Sequence, residues 1–203
     1  MNIIEHPRLY RLLTSMGDLS PEECGNIESD LWDMFGQHAA VLVTDMSHFS
    51  KVTQQHGIIY YLAMIKRMQD VVALSVAKNK GKIVKFIADN SFSIFDDIDS
   101  ALQCILEINQ KMRMENAKTP DIWDIEICSG IDCGNILNIN GVDIFGDPVN
   151  IASKLGEDTA LPWEVLVTER AKLAASSKFE FDAPMTAEKS VSIDAWHLKD
   201  RAN

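Results

Sequence analysis

The chain has 203 residues, 46% of them apolar and 24% charged, which is material for one compact domain with a sizeable core and a short extension. Its formal net charge of −11 at pH 7 leaves no surplus of basic side chains for a nucleic-acid backbone or an anionic membrane, so neither partner is expected. An anionic substrate would have to be met through a metal ion.

The opening residues, MNIIEHPRLYRLL, lack the charged-then-apolar layout of an export signal, and no apolar run reaches the ~18 residues of a membrane span. A cytoplasmic chain is therefore expected. Residues 1–37 read as a helical extension and residues 38–203 as the main folded unit. Within the extension, Ser20-Pro21-Glu22-Glu23 is a helix start, with a hydroxyl N-cap, proline in the first turn and carboxylates at the positive end of the dipole. Ile27, Leu31, Met34 and Phe35 fall on one face, and Gly36 is placed to end the helix.

The apolar run 39–43 predicts a buried strand, and Asp45 stands at its carboxyl end, followed by a turn, 46–50, whose backbone N–H groups could face phosphate. Residues 57–79 carry Ile58, Leu62, Ile65, Met68, Val72, Leu74 and Val76 at helical spacing, predicting a long helix behind the sheet. Residues 82–88 and 91–95 read as a hairpin turning at Asp89 and Asn90. Singly, Asp45 and Asp89 are ordinary turn formers. On neighbouring strands they could face one site, and two hard carboxylates suit Mg²⁺ bound with substrate phosphates.

Leu102, Ile105, Ile108 and Met112 predict a second amphipathic helix over 100–114, broken by Thr119-Pro120-Asp121. Residues 122–131 alternate as a strand, Gly134 reads as a tight turn, and 136–139 as a short return strand. Gly146-Asp147-Pro148 precedes a short helix, 149–155, with Asn150 and Lys154 on one face. A strand over 164–168, a helix over 169–175 and strands over 179–182 and 191–198 follow, the last expected at an edge. Cys24, Cys104, Cys128 and Cys133 form no CxxC and the histidines no HExxH, so no zinc site is expected and the thiols read as reduced packing residues.

Four segments then stand out together: VLVTDMSHFS, GKIVKFIADNSFSIF, GIDCG and VDIFGDPVNIASKLGED. From about residue 39 to 172 the chain resembles the catalytic domain of the class III nucleotidyl cyclases, the adenylyl and guanylyl cyclases. The last segment is the most specific, because many positions agree at fixed offsets. The resemblance implies an α/β (α+β) fold with a ferredoxin-like βαββαβ core and a mixed, largely antiparallel sheet. By the same resemblance, Asp45 and Asp89, with the backbone of Met46, match the positions that hold two Mg²⁺ (or Mn²⁺) ions per active site, and Ser47, His48, Phe49 and Ser50 match the phosphate loop. Lys85 and Asp143 match the base-reading pair, Asn150 the residue that orients the ribose, and Lys154 the place of a transition-state arginine. An ammonium donating to adenine N1 and a carboxylate accepting from the exocyclic amine select ATP over GTP.

The implied activity is an adenylate cyclase, working at the interface of a head-to-tail homodimer. Lys154 for Arg, and Ala88, His48 and Asn138 for Gly, depart from the pattern, and no Val-Lys-Gly supplies a triphosphate lysine, leaving Lys189 or Lys199 for that role. Two rival readings are a degenerate cyclase-homology module that binds nucleotide without turnover, and a cyclase for GTP or a pyrimidine triphosphate. The retained Asp45 and Asp89 disfavour the first; Lys85 and Asp143 disfavour the second.

Overall fold

Strand β1 (Gly36–Met46) is the spine of the sheet, and its Val41, Leu42 and Val43 have no exposed surface in the structure, a computed structural model that describes residues 6–47, 54, 56–187 and 193–200. β1 is nearly all apolar because both its faces are covered. Ala40, Leu42 and Met46 pack into the core under helices α3 (Ile58–Lys78) and α4 (Ile98–Asn116). Ala39, Val41 and Val43 pack on the other side with Val149 and Ala152 of helix α5 (Asp147–Ser153), which runs on into a π-helical turn, Lys154–Thr159.

The remaining strands are β2 (Lys82–Ile87), β3 (Asn90–Phe95), β4 (Ile127–Ile139), β5 (Asp143–Phe145), β6 (Val165–Thr168), β7 (Phe181–Ala187) and β8 (Ile193–Leu198). They line up as β2-β3-β1-β4-β6-β8-β7, with β5 paired to β4. Only β4 and β6 run parallel among the paired strands. The path β1-α3-β2-β3-α4-β4 is the expected βαββαβ core. Among the described residues no helix is long and apolar enough to cross a membrane.

At the amino terminus, helices α1 (Pro7–Ser15) and α2 (Pro21–Phe35) pack Leu9, Leu31 and Phe35 against Ile139 at the far end of β4. The Ser20–Glu23 start of α2 is a full capping box. Gly36 does not stop α2 with a left-handed turn: at φ −66° and ψ 130° it already belongs to β1, and a Cβ there would collide with the Trp32 carbonyl oxygen.

Helix α4 buries the stripe its period announces, with Leu102, Ile105, Ile108 and Met112 all inaccessible. Helix α3 is rotated from expectation. Tyr61, Met64, Ile65, Met68, Val71, Val72, Ser75 and Val76 are buried, whereas Ile58, Leu62 and Leu74 are half or more exposed. Apolar residues surround most of α3, so periodicity did not select a face and the sheet did.

Three further expectations are corrected. β4 is one strand through Gly134, which is no turn; its φ of 156° is within reach of extended backbone, and a Cβ there would lie 2.9 Å from Pro148 Cγ, so the glycine makes room for the start of α5. The turn comes at Asn140-Gly141, both left-handed, the Asn-Gly pair that suits a tight hairpin, and β5 is the return strand. Residues 121–123 are a short 3-10 turn, with β4 starting at Ile127. Last, β8 is not an edge: it lies between β6 and β7.

Candidate active site

Asp45 and Asp89 come together because β1 and β3 are neighbours. The Thr44 and Ser91 hydroxyls touch at 2.6 Å in a buried pair directly opposite each other in the ladder, which pins the register. One residue on from Thr44 is Asp45, and two back from Ser91 is Asp89, in the turn between β2 and β3. Burial pushes the Asp45 carboxyl up to about 7, with the charges of Asp89 and Glu157 adding to the effect. Tyr61, 1% exposed, donates its phenolic proton to Asp89 Oδ2 at 2.6 Å.

The neighbourhood of Glu157 depends on two glycines. A Cβ on Gly130 would collide with the Ala152 carbonyl and lie 2.6 Å from Gly156 N, and one on Gly156 would lie 2.8 Å from Gly130 N. Bare backbone on both sides lets α5 and its π turn lie flat on β4. The Glu157 carboxyl is raised chiefly by burial and is within hydrogen-bonding reach of Ser153 and Asn90.

Among the described residues neither Asp45 nor Asp89 has an ion-pair partner, and no cluster of three or more His, Cys, Asp and Glu side chains could hold a metal ion. Two adjacent carboxylates of which one is held near pH 7 by burial and by the other's charge fit a divalent cation that takes the rest of its shell from backbone oxygens, water and phosphate. The side chain of Met46 is buried under α3, so only its backbone is available to such a cation. The N–H and hydroxyl of Ser47, expected to face phosphate, both donate to the Glu126 carbonyl, at 3.0 and 3.2 Å. His48, Phe49 and Ser50 lie outside the described residues.

Lys85 and Asp143, 58 positions apart in sequence, meet at 2.6 Å. Lys85 sits opposite Phe92 on the hairpin, its ammonium 5.0 Å from the ring centroid, and the Ile144 N–H fixes the Asp143 carboxylate from β5. Phe92 pairs with Val43, and Asp45 follows two residues later on the same side of β1. The ion pair and Asp45 therefore share one sheet face.

Asn150 is exposed and Lys154 half-buried, both on the α5 segment, and neither side chain has a partner among the described residues. The start of α5 is tethered by Arg170, which grips the inaccessible Asp132 through Nε at 2.7 Å and through Nη2, and reaches Asp147 Oδ2 at 2.8 Å. Asp132 also takes the Thr168 hydroxyl at 2.5 Å. A fork-shaped, permanently charged group is suited to joining two carboxylates in this way.

The altered glycines have visible consequences. Ala88 sits at φ 52°, in the left-handed region that costs a residue with a Cβ about 1 kcal/mol. Asn138 accepts from the Gly141 N–H and donates to Gln37 Oε1, both at 2.8 Å, tying the β4–β5 turn to the start of β1. Lys199 is ion-paired to Asp182 at 2.9 Å and lines a groove of about 640 Å³ with Lys78, Glu107 and Lys178, to which none of the other expected site residues contributes. Lys189 is outside the described residues. All four cysteines are free, and burial pushes the Cys104 and Cys128 thiols up to about 12, consistent with packing roles.

Sequence reasoning missed Tyr61, Glu157 and the Gly130–Gly156 contact. A tyrosine at a position that shares a face with Met64, Ile65 and Met68 was a signal for the first; nothing in local spacing signals the other two.

The family model described as the adenylate and guanylate cyclase catalytic domain matches residues 35–197. The crystal structure of an adenylate/guanylate cyclase/hydrolase from Silicibacter pomeroyi is similar at a TM-score of 0.67 and 28% identity, over 80% of this chain and 96% of that one. The guanylate cyclase domain of a Catenaria anguillulae protein, solved with GTP, gives 0.67 at 15% identity over 80% of this chain and 96% of that one, a likeness of fold alone. A Rhizobium meliloti protein named "Putative adenylate cyclase 3" is 25% identical over 171 residues, 81% of this chain, and the chain spans 29% of that relative's length. The family match runs from the last residue of α2 into β8 and takes in Asp45, Lys85, Asp89, Asp143, Asn150 and Lys154, and the chain belongs to the adenylate and guanylate cyclase catalytic-domain family, the class III nucleotidyl cyclases.

Proposed function

We propose that the chain is an adenylate cyclase that converts ATP to 3′,5′-cyclic AMP and pyrophosphate at a head-to-tail homodimer interface, with residues 38–203 as the catalytic domain and residues 1–37 as an extension of it. The observation that carries the choice of base is the Lys85–Asp143 contact at 2.6 Å. The pair presents a donor and an acceptor side by side, the complement of the adenine edge, whereas guanine presents the opposite pattern. Asp45 and Asp89, with the Met46 backbone, would hold two Mg²⁺ or Mn²⁺ ions, which when bound lower the pKa of the ribose 3′ hydroxyl and screen the leaving pyrophosphate. Asn150 orients the ribose so that its 3′ oxygen lies in line with the α-phosphorus. The Lys154 ammonium, unpaired among the described residues, compensates the charge that develops on the phosphoryl oxygens, as a point charge without the grip of a guanidinium fork.

One sheet face carries both halves of this machinery, so pairing with a second copy about a two-fold axis sets Asp45 and Asp89 of one protomer against Lys85, Asp143, Asn150 and Lys154 of the other, twice. Exposed apolar side chains support such a partner: Ile58, Ile59 at 76% exposure and Leu62 at the amino end of α3, and Ile87 beside the Asp89 turn.

Incubating the purified protein with ATP, GTP, CTP or UTP and Mn²⁺ or Mg²⁺ should yield cyclic AMP in preference to other cyclic nucleotides; no product, or preferential cyclisation of another triphosphate, overturns the reading. Mixing equal amounts of Asp45→Ala and Asn150→Ala chains, each inactive alone, should recover roughly a quarter of wild-type activity, since about half the dimers are mixed and each has one intact site. A site built within a single chain would recover none.

A further inference from the structure

We propose that Tyr61 is a positioning residue for the metal site, its buried phenol holding the Asp89 carboxylate in one orientation; this rests on the reading of Asp45 and Asp89 as the metal-binding carboxylates. Asp89 has little of its own to hold it. It lies in a two-residue turn behind Ala88, whose φ of 52° is unfavourable for a residue with a Cβ, and Ile87 beside it is 52% exposed. The turn is gripped from helix α3 instead. Tyr61, in the first turn of α3, packs its ring into the core with Met46, Met64 and Ile65, so its hydroxyl sits at a fixed point, 2.6 Å from Asp89 Oδ2. Two helical turns on, Gln69 Nε2 reaches the Ala88 carbonyl at 3.4 Å.

A hydroxyl is not needed to fill this part of the core, where every other buried member of the stripe except Ser75 is aliphatic or a methionine. Burying a phenol without a bond would cost stability, and the bond it makes is to a carboxylate, the stronger, charge-assisted kind. The bond to Oδ2 restricts rotation of the carboxylate and so sets the direction in which its remaining lone pairs meet a cation. Partners that orient a metal-binding carboxylate commonly change metal affinity by 10–100-fold.

The test is Mn²⁺ binding to the full chain, read from the paramagnetic resonance of free Mn²⁺, for wild type, Tyr61→Phe, Tyr61→Met and Asp89→Ala, with thermal melts in EDTA to report folding separately. Tyr61→Phe removes one oxygen and keeps the ring, and Tyr61→Met keeps apolar volume without a donor. Both should weaken Mn²⁺ binding about tenfold, and the Mn²⁺ concentration for half-maximal cyclisation should rise in parallel. If both variants bind Mn²⁺ as tightly as wild type while Asp89→Ala has lost it, Tyr61 only packs and the inference fails. If Asp89→Ala binds Mn²⁺ like wild type, the metal reading itself fails and the inference falls with it.

Discussion

Replacing Asp45 by Asn should stabilise the metal-free protein at neutral pH and flatten its pH dependence. In the folded chain the Asp45 carboxyl titrates at about 7, because of burial and then the charges of Asp89 and Glu157, against an ordinary value of 3.8 for an unperturbed aspartate. The folded state thus holds this proton more tightly than the unfolded one. Below about pH 4 both states carry it and the group costs nothing; as pH rises towards 7 the unfolded chain releases it first, and folding stability falls, levelling off above pH 7. A shift of about 3 pH units at ~1.4 kcal/mol each bounds the effect at about 4 kcal/mol. Solvent screening at this partly exposed site reduces it to about 1–2 kcal/mol, or about 2–8 °C in melting temperature for a chain of this size. Thermal melts in EDTA at pH 5 and pH 8 measure it. The variant should melt several degrees above wild type at pH 8 and less than half as far above it at pH 5, and Mn²⁺ should reverse the order by stabilising wild type alone. A gap that does not change with pH, or a variant less stable at pH 8, would refute the argument that Asp45 is held against its neighbours' charge.

The base-reading pair predicts that Lys85→Glu with Asp143→Cys erodes the preference for ATP and admits GTP, because the swap inverts the donor and acceptor offered to the base; an active double mutant with unchanged preference, measured by initial rates on both triphosphates, rules the pair out. Gly130→Ala places a Cβ against the Ala152 carbonyl and 2.6 Å from Gly156 N, so it should cost about 1–3 kcal/mol by overpacking and lower activity by lifting the α5 segment that carries Asn150 and Lys154. Wild-type melting in that variant would mean the α5 packing is looser than the glycine contact implies.

What the sequence determined by itself was local. The Ser20–Glu23 capping box, the stripe of α4, the strand that carries Asp45 and the hairpin at Asp89 all depend on residues within a turn or two of one another, and each is present, the hairpin turning at Ala88-Asp89 with Asn90 already in β3 rather than at Asp89-Asn90. The strand pattern around Gly134 misled because a glycine inside a strand and a glycine in a turn look alike until Pro148 is seen to need the space. Asp45 and Asp89, and Lys85 and Asp143, were legible as candidates through a resemblance of spacing, but no local pattern says that they touch. Only the tertiary structure decided that Tyr61 faces Asp89, that Gly130 and Gly156 meet, and that Arg170 joins Asp132 to Asp147. These contacts span 23 to 38 residues, and they follow from sheet register and from the rotation of one helix about its axis. Both are set by the summed packing of two cores, which no single segment encodes.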